Sequence, residues 1–405
     1  MKVRLRLRAL YLLIICLYFL LISVQFQDMT GEIRCTDYSF ATNSTNNINF
    51  VKSENNCSLY QLCFRNKTFD FSGRDKKGKG NRKIVLFYNL PEFMNTFLRK
   101  DLMYENCDYT NCMFSRNGSL ILTADAVIFY IGIRNVRMGI YPPIHMNQRN
   151  PNQVWIFTSA EPPEHYYNTD YQLTSWHNTM NWSSLYRLDS DIPNPYGNLV
   201  RCTSKDKRDY DSIYNAKSKN ALWIVSHCQV ASERRHYVKE MIKHGFDVDI
   251  FGGCSSNGQR ISQEELEVAI PAYKYFLAFE NSFCNDYISE KYFEYYNMSW
   301  IILVRGGADY QRLLPEKTFI NTADFKNVSV LVQYLSKVAN EKDTYTSFLR
   351  YKDRYISIRW PNNRNCEICR RLNNLSKFRK TYKNVADFVV KGQCKRPDDI
   401  KAIFR

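Results

Sequence analysis

The sequence predicts an α/β protein in which two units with parallel sheets face each other across a cleft. Its strands read as continuous apolar runs, which are typical of strands that helices cover on both faces. In the second half, a strand, a helix and another strand follow within about 30 residues, as in a βαβ unit. The 405 residues suffice for two domains with their own cores. We place the first unit at residues 81–210 and the second at residues 211–360.

The N-terminal segment predicts a membrane anchor. Four basic side chains occupy the first eight residues, and an apolar run over residues 9–26 follows them. That run is close to the ~20 residues that cross a bilayer, and the basic flank predicts a cytoplasmic N-terminus. A cleaved signal peptide is the alternative, although no clear small-residue cleavage site follows the run. The polar residues 27–80 then form a stem, and the chain beyond the anchor is luminal.

Charge and cysteine content narrow the class of partner. The net charge of +16 suggests an anionic partner, such as nucleic acid, a membrane surface or a phosphorylated ligand. Eight Asn-x-Ser/Thr sequons and 13 cysteines, twelve of them outside the anchor, are typical of a glycosylated chain in an oxidising compartment. That compartment excludes nucleic acid as the partner.

The elements follow in order along both units. In the first unit, apolar runs predict strands at residues 83–88, 126–130 and 154–157. In the second unit, they predict strands at residues 222–226, 248–252, 275–279 and 299–304, with a helix over about 232–244.

The strand that ends near Phe279 leads into the most informative stretch. Asn285 or Asp286 is a suitable N-cap for a helix that begins at Tyr287. Three side chains at i, i+3 and i+4 then share one face of that helix: Tyr287, Glu290 and Lys291. Ligands of open α/β sheets bind beyond the carboxyl ends of strands, and a helix start favours a phosphate. An ordinary amphipathic helix with a Glu–Lys pair is the alternative.

The same stretch carries a family resemblance. Residues 276–282 (FLAFENS) and 286–291 (DYISEK) resemble the signature of the α1,3/4-fucosyltransferases, type II Golgi membrane enzymes that use GDP-fucose. Three further blocks resemble other parts of that family: residues 182–197, 223–238 and 308–325. The resemblance implies a GT-B architecture of two Rossmann-like domains, with the donor bound in the C-terminal domain and the acceptor facing the N-terminal one.

The resemblance also implies site residues. Carried over by motif position, the side chains that contact GDP-fucose are Arg234, Asn281, Tyr287, Glu290 and Lys291. The register at Arg234 leaves Arg235 as its alternative. Arginine suits a diphosphate because its planar fork binds phosphate oxygens bidentately. Phe276 and Leu188 depart from residues that are common in the family, and neither position holds a proposed catalytic group.

A catalytic base is expected from the first unit. Glu161 follows the predicted strand at residues 154–157, and the family has a Glu-Ser-Pro block there, whereas this chain has Glu161-Pro162-Pro163. A carboxylate at this point is suited to removing the proton of an acceptor hydroxyl. Glu164 is the alternative base.

Two motifs suggest metal sites, and both have another interpretation. Asp189-Ser190-Asp191 could hold Mn²⁺ or Mg²⁺ on a diphosphate. In the resembled family the cations are protein side chains, so we expect no metal or cofactor. Cys366 and Cys369 form a single Cys-x-x-C pair in the segment 361–405. The resemblance implies disulfides to the N-terminal half, for which the candidates are Cys57, Cys63, Cys107 and Cys112.

We therefore expect an inverting α1,3-fucosyltransferase of the Golgi membrane with a luminal catalytic domain. Its donor would be GDP-fucose and its acceptor the GlcNAc of N-glycans or related glycoconjugates. The alternative is a catalytically inactive glycan-binding protein on the same fold, since fold does not fix function.

Overall fold

The computed structural model describes five ranges of the chain: residues 81–92, 107–133, 136–201, 208–359 and 364–400. The predicted anchor at residues 9–26 and the stem at residues 27–80 lie outside these ranges. Within them, we find no helix that combines the length and the apolar character of a membrane span.

The first sheet contains five parallel strands in the order β2-β1-β3-β4-β5. Their bounds are β1 Lys83–Phe87, β2 Cys112–Ser115, β3 Ala126–Tyr130, β4 Val154–Ser159 and β5 Trp182–Leu185. Every residue of β3, β4 and β5 is buried, as expected for strands covered on both faces. The strands predicted for this unit are confirmed, and β2 and β5 are additional.

The second sheet is also parallel and begins after an antiparallel strand, β6, at Gly197–Arg201. Its order is β11-β10-β9-β7-β8. Its strands are β7 Lys219–Ile224, β8 Val248–Phe251, β9 Tyr273–Phe279, β10 Ile301–Arg305 and β11 Phe319–Asn321. The prediction of an α/β protein with parallel sheets is therefore confirmed.

Nine α-helices lie in the described ranges, seven in the second unit and two after it. Those of the second unit are α1 Tyr210–Asn215, α2 Arg234–Lys243, α3 Gln263–Ala269, α4 Glu290–Phe293, α5 Tyr310–Leu313, α6 Val328–Asn340 and α7 Lys342–Lys352. The last two are α8 Arg364–Asn373 and α9 Val385–Val389. Strand β12, Tyr355–Arg359, pairs antiparallel with β6 just before them.

The end of the chain returns to the first unit. Helix α8 buries Ile368 and Leu372 against one face of the first sheet, while Val385 and Val389 of α9 pack on the other face. Two apolar clusters likewise cover the two faces of the second sheet, and one of them includes Tyr186 and other residues of the first unit. The two units are thus joined through shared apolar contacts.

Disulfide bonds reinforce these long-range contacts. The four in the described ranges are Cys107–Cys366, Cys112–Cys369, Cys228–Cys254 and Cys284–Cys394. The first two confirm that the Cys-x-x-C pair ties the C-terminal segment to the N-terminal half. Cys57 and Cys63, the other candidates, lie outside the described residues.

Candidate active site

Glu161 lies just beyond the carboxyl end of β4, on the side of the second unit. Its backbone N–H donates to Ser159 Oγ at 3.2 Å, and a short 3₁₀ turn, Pro163–His165, follows. Burial raises the pKa of the Glu161 carboxyl above its ordinary value, the Glu290 carboxylate raises it further, and the Lys291 ammonium opposes both. The predicted base of one unit therefore faces the predicted donor-binding residues of the other.

A chain of aromatic contacts joins the same two regions. The Tyr196 hydroxyl donates to the Ala160 carbonyl at 2.8 Å, next to Glu161. The ring of Tyr196 lies 6.0 Å from that of Tyr287, and the ring of Tyr186 lies 5.0 Å from Tyr287 on another side. The backbone next to Glu161 is thus linked through Tyr196 to the loop that precedes Lys291.

Lys291 is held among oxygen atoms at the carboxyl end of β9. Its ammonium donates to Ser289 Oγ at 2.9 Å and to Glu290 Oε1 at 3.0 Å, and lies 3.5 Å from Glu280 Oε2. Burial lowers the pKa of Lys291, but the carboxylates of Glu280 and Glu290 outweigh it, so that the pKa is above its ordinary value. Lys291 is therefore a fixed positive charge in the cleft.

The predicted helix over this stretch is wrong in its start and its length. Helix α4 begins at Glu290, is one turn long, and has Ser289 as its N-cap, so Tyr287 precedes it. The reason is tertiary. Asp286 has a left-handed backbone with φ 57°, and its carboxylate accepts from Leu188 N at 3.3 Å and from Arg312 Nη2 at 2.9 Å instead of capping a helix. One turn has too few aligned peptides for the predicted helix-dipole effect on a phosphate.

Tyr287 and Asn281 differ in how they meet the cleft. Tyr287 is only 1% exposed and forms part of the aromatic contact between the units. Asn281 is 8% exposed, and its Oδ1 accepts no hydrogen bond from any described residue. A buried acceptor without a donor is costly, and a ligand that donates to it would remove that cost.

Arg234 is a buried side chain close to the carboxyl end of strand β9. It begins helix α2, and its amino groups donate to the Phe279 carbonyl at 2.7 Å and to the His227 carbonyl at 3.0 Å. Its Nε–H has no acceptor among the described residues. Burial lowers the pKa of Arg234, whereas the Glu280 carboxylate raises it. Arg235, the alternative, is exposed on the outer side of the helix, which favours Arg234.

Two histidines at the cleft were not predicted. His165 ends the 3₁₀ turn after Glu161, and His227 follows strand β7 of the second unit. Burial lowers the pKa of His165 to about 4, and the nearby His227, Arg234 and Lys291 act in the same direction. Both histidines follow the carboxyl end of a strand, and that position could have indicated them from the sequence. His165 is therefore a neutral hydrogen-bonding group near neutral pH.

The motifs that suggested metal ligands have structural partners. Asp191 accepts from the Ser183 N–H at 2.9 Å, the Tyr382 hydroxyl at 2.6 Å and Lys380 Nζ at 2.9 Å. Asp189 pairs with Arg187. Both carboxylates therefore make hydrogen bonds and ion pairs within the fold.

One possible ligand cluster lies near the alternative base. In the described ranges, a carboxylate oxygen of Glu164 and the sulfur atoms of Cys284 and Cys394 lie within 4.8 Å of one another. The two sulfurs form a disulfide, so they are not thiolate ligands. Glu164 itself is exposed beside that disulfide, whereas Glu161 is more enclosed.

The chain matches two family models. Residues 80–197 match "Fucosyltransferase, N-terminal", and residues 214–388 match "Glycosyltransferase family 10 (fucosyltransferase) C-term". The two matches cover both sheets described above.

Curated relatives give the same result. Alpha-(1,3)-fucosyltransferase C of Drosophila melanogaster is 30% identical over 300 residues, which is 68% of each chain. Alpha-(1,3)-fucosyltransferase 7 of Mus musculus is 32% identical over 268 residues, 64% of each chain. A solved structure of an α1,3-fucosyltransferase with GDP-fucose is 15% identical, with a TM-score of 0.48 over 77% of this chain and 96% of the other. On the two family matches and the Drosophila relative, this chain belongs to glycosyltransferase family 10, the fucosyltransferases.

Proposed function

We propose that this chain transfers L-fucose from GDP-fucose in α1,3 linkage to a GlcNAc residue of a glycan. Membership of the fucosyltransferase family and the activity named for its curated relatives support this proposal. The observation that carries it is that Glu161 of the first unit lies close enough to Glu290 and Lys291 of the second for their charges to act on its carboxyl group. Such an arrangement supplies a base and a cation to opposite sides of one donor sugar.

The second unit stabilises the leaving group. When the bond between fucose C1 and the β-phosphate oxygen breaks, negative charge develops on GDP. Lys291 supplies a full charge for that oxyanion, and the free Nε–H of Arg234 is a second donor. Because both are fixed before the reaction, they stabilise the transition state without reorganisation.

Glu161 activates the acceptor. Its carboxylate removes the proton of the acceptor hydroxyl, whose oxygen attacks fucose C1 on the face opposite GDP, which inverts the configuration. Burial, which raises the pKa of Glu161, makes the carboxylate a stronger base than an exposed one.

The remaining predicted residues bind the donor. The Oδ1 of Asn281 accepts from a donor hydroxyl, and Glu290, whose side chain is 39% exposed, accepts from another. Burial raises the pKa of the Tyr287 hydroxyl, and the nearby Tyr196, Glu161, Glu280 and Glu290 raise it further, so we assign this hydroxyl to the charged part of the donor site. In this scheme the cations that face the diphosphate are protein side chains.

The cellular setting and the acceptor class complete the proposal. The four disulfides and the basic, apolar N-terminal segment support a luminal catalytic domain anchored in the Golgi membrane. N-glycans and related glycoconjugates are the acceptors we expect there.

The test uses the luminal chain with GDP-fucose, a panel of GlcNAc-containing glycans and mass spectrometry of the products. We expect wild type to add one fucose, and Glu161→Gln to bind GDP equally well while its turnover falls at least ~10²-fold. Undiminished turnover by Glu161→Gln would exclude Glu161 as the base. A wild-type chain that binds glycans but neither GDP nor GDP-fucose would support the inactive glycan-binding alternative.

A further inference from the structure

Glu280 is a buried carboxylate that the scheme above does not use. It follows the last residue of β9 and is 1% exposed. Its Oε1 accepts from the Ser289 N–H at 2.8 Å, and its Oε2 accepts from the Ser289 hydroxyl at 2.7 Å. Burying a carboxylate is costly unless it is paired, so its partners indicate what it does.

Ser289 joins Glu280 to Lys291. The Ser289 hydroxyl donates to Glu280 and at the same time accepts from Lys291 Nζ at 2.9 Å. The ammonium also lies 3.5 Å from Glu280 Oε2. The three groups therefore form one network in which each donor has a fixed acceptor.

Glu280 has little room to leave this network. Its N–H donates to the Arg305 carbonyl on the neighbouring strand at 2.9 Å. A methyl group on Gly306 would lie 3.1 Å from Glu280 Cγ and 2.5 Å from the Tyr310 hydroxyl. The close packing at Gly306 keeps the Glu280 carboxylate next to Lys291.

We propose that Glu280, acting through Ser289, is the positioning residue that holds the Lys291 ammonium at the place where the donor diphosphate binds. The inference rests on the proposed function, since it takes the diphosphate as the ligand of Lys291. Glu280 is also the strongest of the influences that raise the pKa of Lys291. The other charged groups near the ammonium are Glu290, Arg234, Glu161 and His165.

The test is the pH dependence of GDP binding by Glu280→Gln and by wild type, measured by calorimetry between pH 6 and 11. Lys291 binds GDP while protonated, so affinity is present below its pKa and is lost as pH rises through it. Because Glu280 raises that pKa, its loss moves the alkaline limb to lower pH. We expect the affinity of the variant to fall below that of wild type at the alkaline end of the range, by up to about ten-fold for each pH unit by which the limb moves.

Ser289→Ala provides a second variant in case Glu280→Gln folds poorly, and it is expected to move the limb in the same direction. Asp191→Asn is the matched control. It removes a partly buried carboxylate of the first unit that lies 2.9 Å from Lys380 Nζ, so it should lower the unfolding temperature and leave the limb unchanged. A folded Glu280→Gln or Ser289→Ala with the wild-type limb overturns the proposal. If wild type binds GDP with the expected limb but transfers no fucose, the proposed function fails and the positioning role stands.

The sequons provide a second, independent observation. Two of the five sequon asparagines in the described ranges use their amide hydrogens inside the fold. Asn181 Nδ2 donates to the Lys380 carbonyl at 2.8 Å and to Thr381 Oγ1 at 3.4 Å. Asn374 Nδ2 donates to the Tyr109 hydroxyl at 3.1 Å and to the Arg370 carbonyl at 2.8 Å. A sugar on either nitrogen would displace these contacts.

The other three are exposed and use only the amide oxygen within the described residues. Their Oδ1 atoms accept from backbone N–H groups: Asn117 from Ser119 at 3.1 Å, Asn297 from Ser357 at 3.0 Å and Asn327 from Val330 at 3.0 Å. A glycan on Nδ2 leaves those hydrogen bonds intact.

We infer that Asn117, Asn297 and Asn327 are N-glycosylated, and that Asn181 and Asn374 are not. The inference rests on the luminal placement. In the reaction, Nδ2 loses a proton and bonds to C1 of an oligosaccharide whose lipid diphosphate leaves.

The test is expression of the full chain in animal cells, followed by enzymatic removal of the glycans in ¹⁸O-water and peptide mass spectrometry. We expect ¹⁸O-labelled aspartate at the three open positions and unlabelled asparagine at the two closed ones. Substantial labelling at Asn181 or Asn374, or none at the three open positions, overturns the inference. Neither result depends on fucose transfer.

Discussion

Replacing Lys291 with Met should damage the donor site in two measurable ways. The lysine side chain is only 18% exposed, so solvent screens its charge little. Removing one fixed donor from a developing oxyanion costs ~10²–10³ in kcat, and we expect a loss in that range. The second effect concerns Glu161. Lys291 lowers the pKa of that carboxyl, while Glu290 and Glu280 raise it, so the variant keeps only the upward influences.

The sign of the pH effect follows from the role of the base. Glu161 works when deprotonated, so activity is present above its pKa and is lost as pH falls through it. In Lys291→Met this acid limb should therefore lie at higher pH than in wild type. The assay is initial-rate fucose transfer between pH 4.5 and 9 on samples with matched folded fractions.

Lys380→Met is the control, because it removes a lysine that pairs with the partly buried Asp191, away from Glu161 and Lys291. It should leave the acid limb in place. If the limb of Lys291→Met stays at its wild-type position or moves to lower pH, Glu161 and Lys291 do not share a cleft as described.

Three further predictions concern stability and the donor site. The Arg305 side chain is 1% exposed and donates to both carboxylate oxygens of Asp399, at 2.7 and 2.8 Å. Asp399→Ala leaves that buried charge unpaired, so it should lower the free energy of unfolding by about 3 kcal/mol and Tm by roughly 6–12 °C. An unchanged Tm would contradict this. Cys366→Ser breaks the disulfide bond to Cys107 and should lower the free energy of unfolding, measured with a chemical denaturant, by about 2–5 kcal/mol. A denaturation midpoint equal to that of wild type would show that the bond does not stabilise the fold. Tyr287→Phe keeps the ring contacts and loses the hydroxyl. We expect kcat/KM to fall roughly five-fold, which corresponds to about 1 kcal/mol, with Tm unchanged. A wild-type rate would show that this hydroxyl does not bind the donor.

The sequence predicted the fold where burial dominates the local pattern. Strands β3, β4 and β9 are continuous apolar runs, and such runs indicate their conformation without help from the rest of the chain. Strand β5 was missed because two of its four residues are serines, and they are buried through partners such as Tyr382, 199 residues away. Hydrogen bonds over that distance leave no local signal.

The structure brings some of the predicted site residues together, but their local geometry differs from the prediction. Glu161 and Lys291 lie close enough for the Lys291 charge to act on the Glu161 carboxyl, and their catalytic roles stay predictions. The helix predicted from Tyr287 does not form there because Asp286 makes contacts with the first unit, and because Cys284 is bonded to Cys394, 110 residues later. Local capping preferences cannot compete with such tertiary constraints, and the sequence window around residue 287 contains neither partner.

In the proposed reaction, Glu161 and Lys291 act on opposite sides of one donor sugar. A structure of the chain with GDP-fucose and an acceptor glycan measures this directly. We expect Lys291 Nζ within ~3 Å of a diphosphate oxygen, and the Glu161 carboxylate at hydrogen-bond distance, ~2.6–3.2 Å, from the attacking hydroxyl. A diphosphate bound away from Lys291, or an acceptor hydroxyl whose nearest base is another residue such as Glu164, would contradict it.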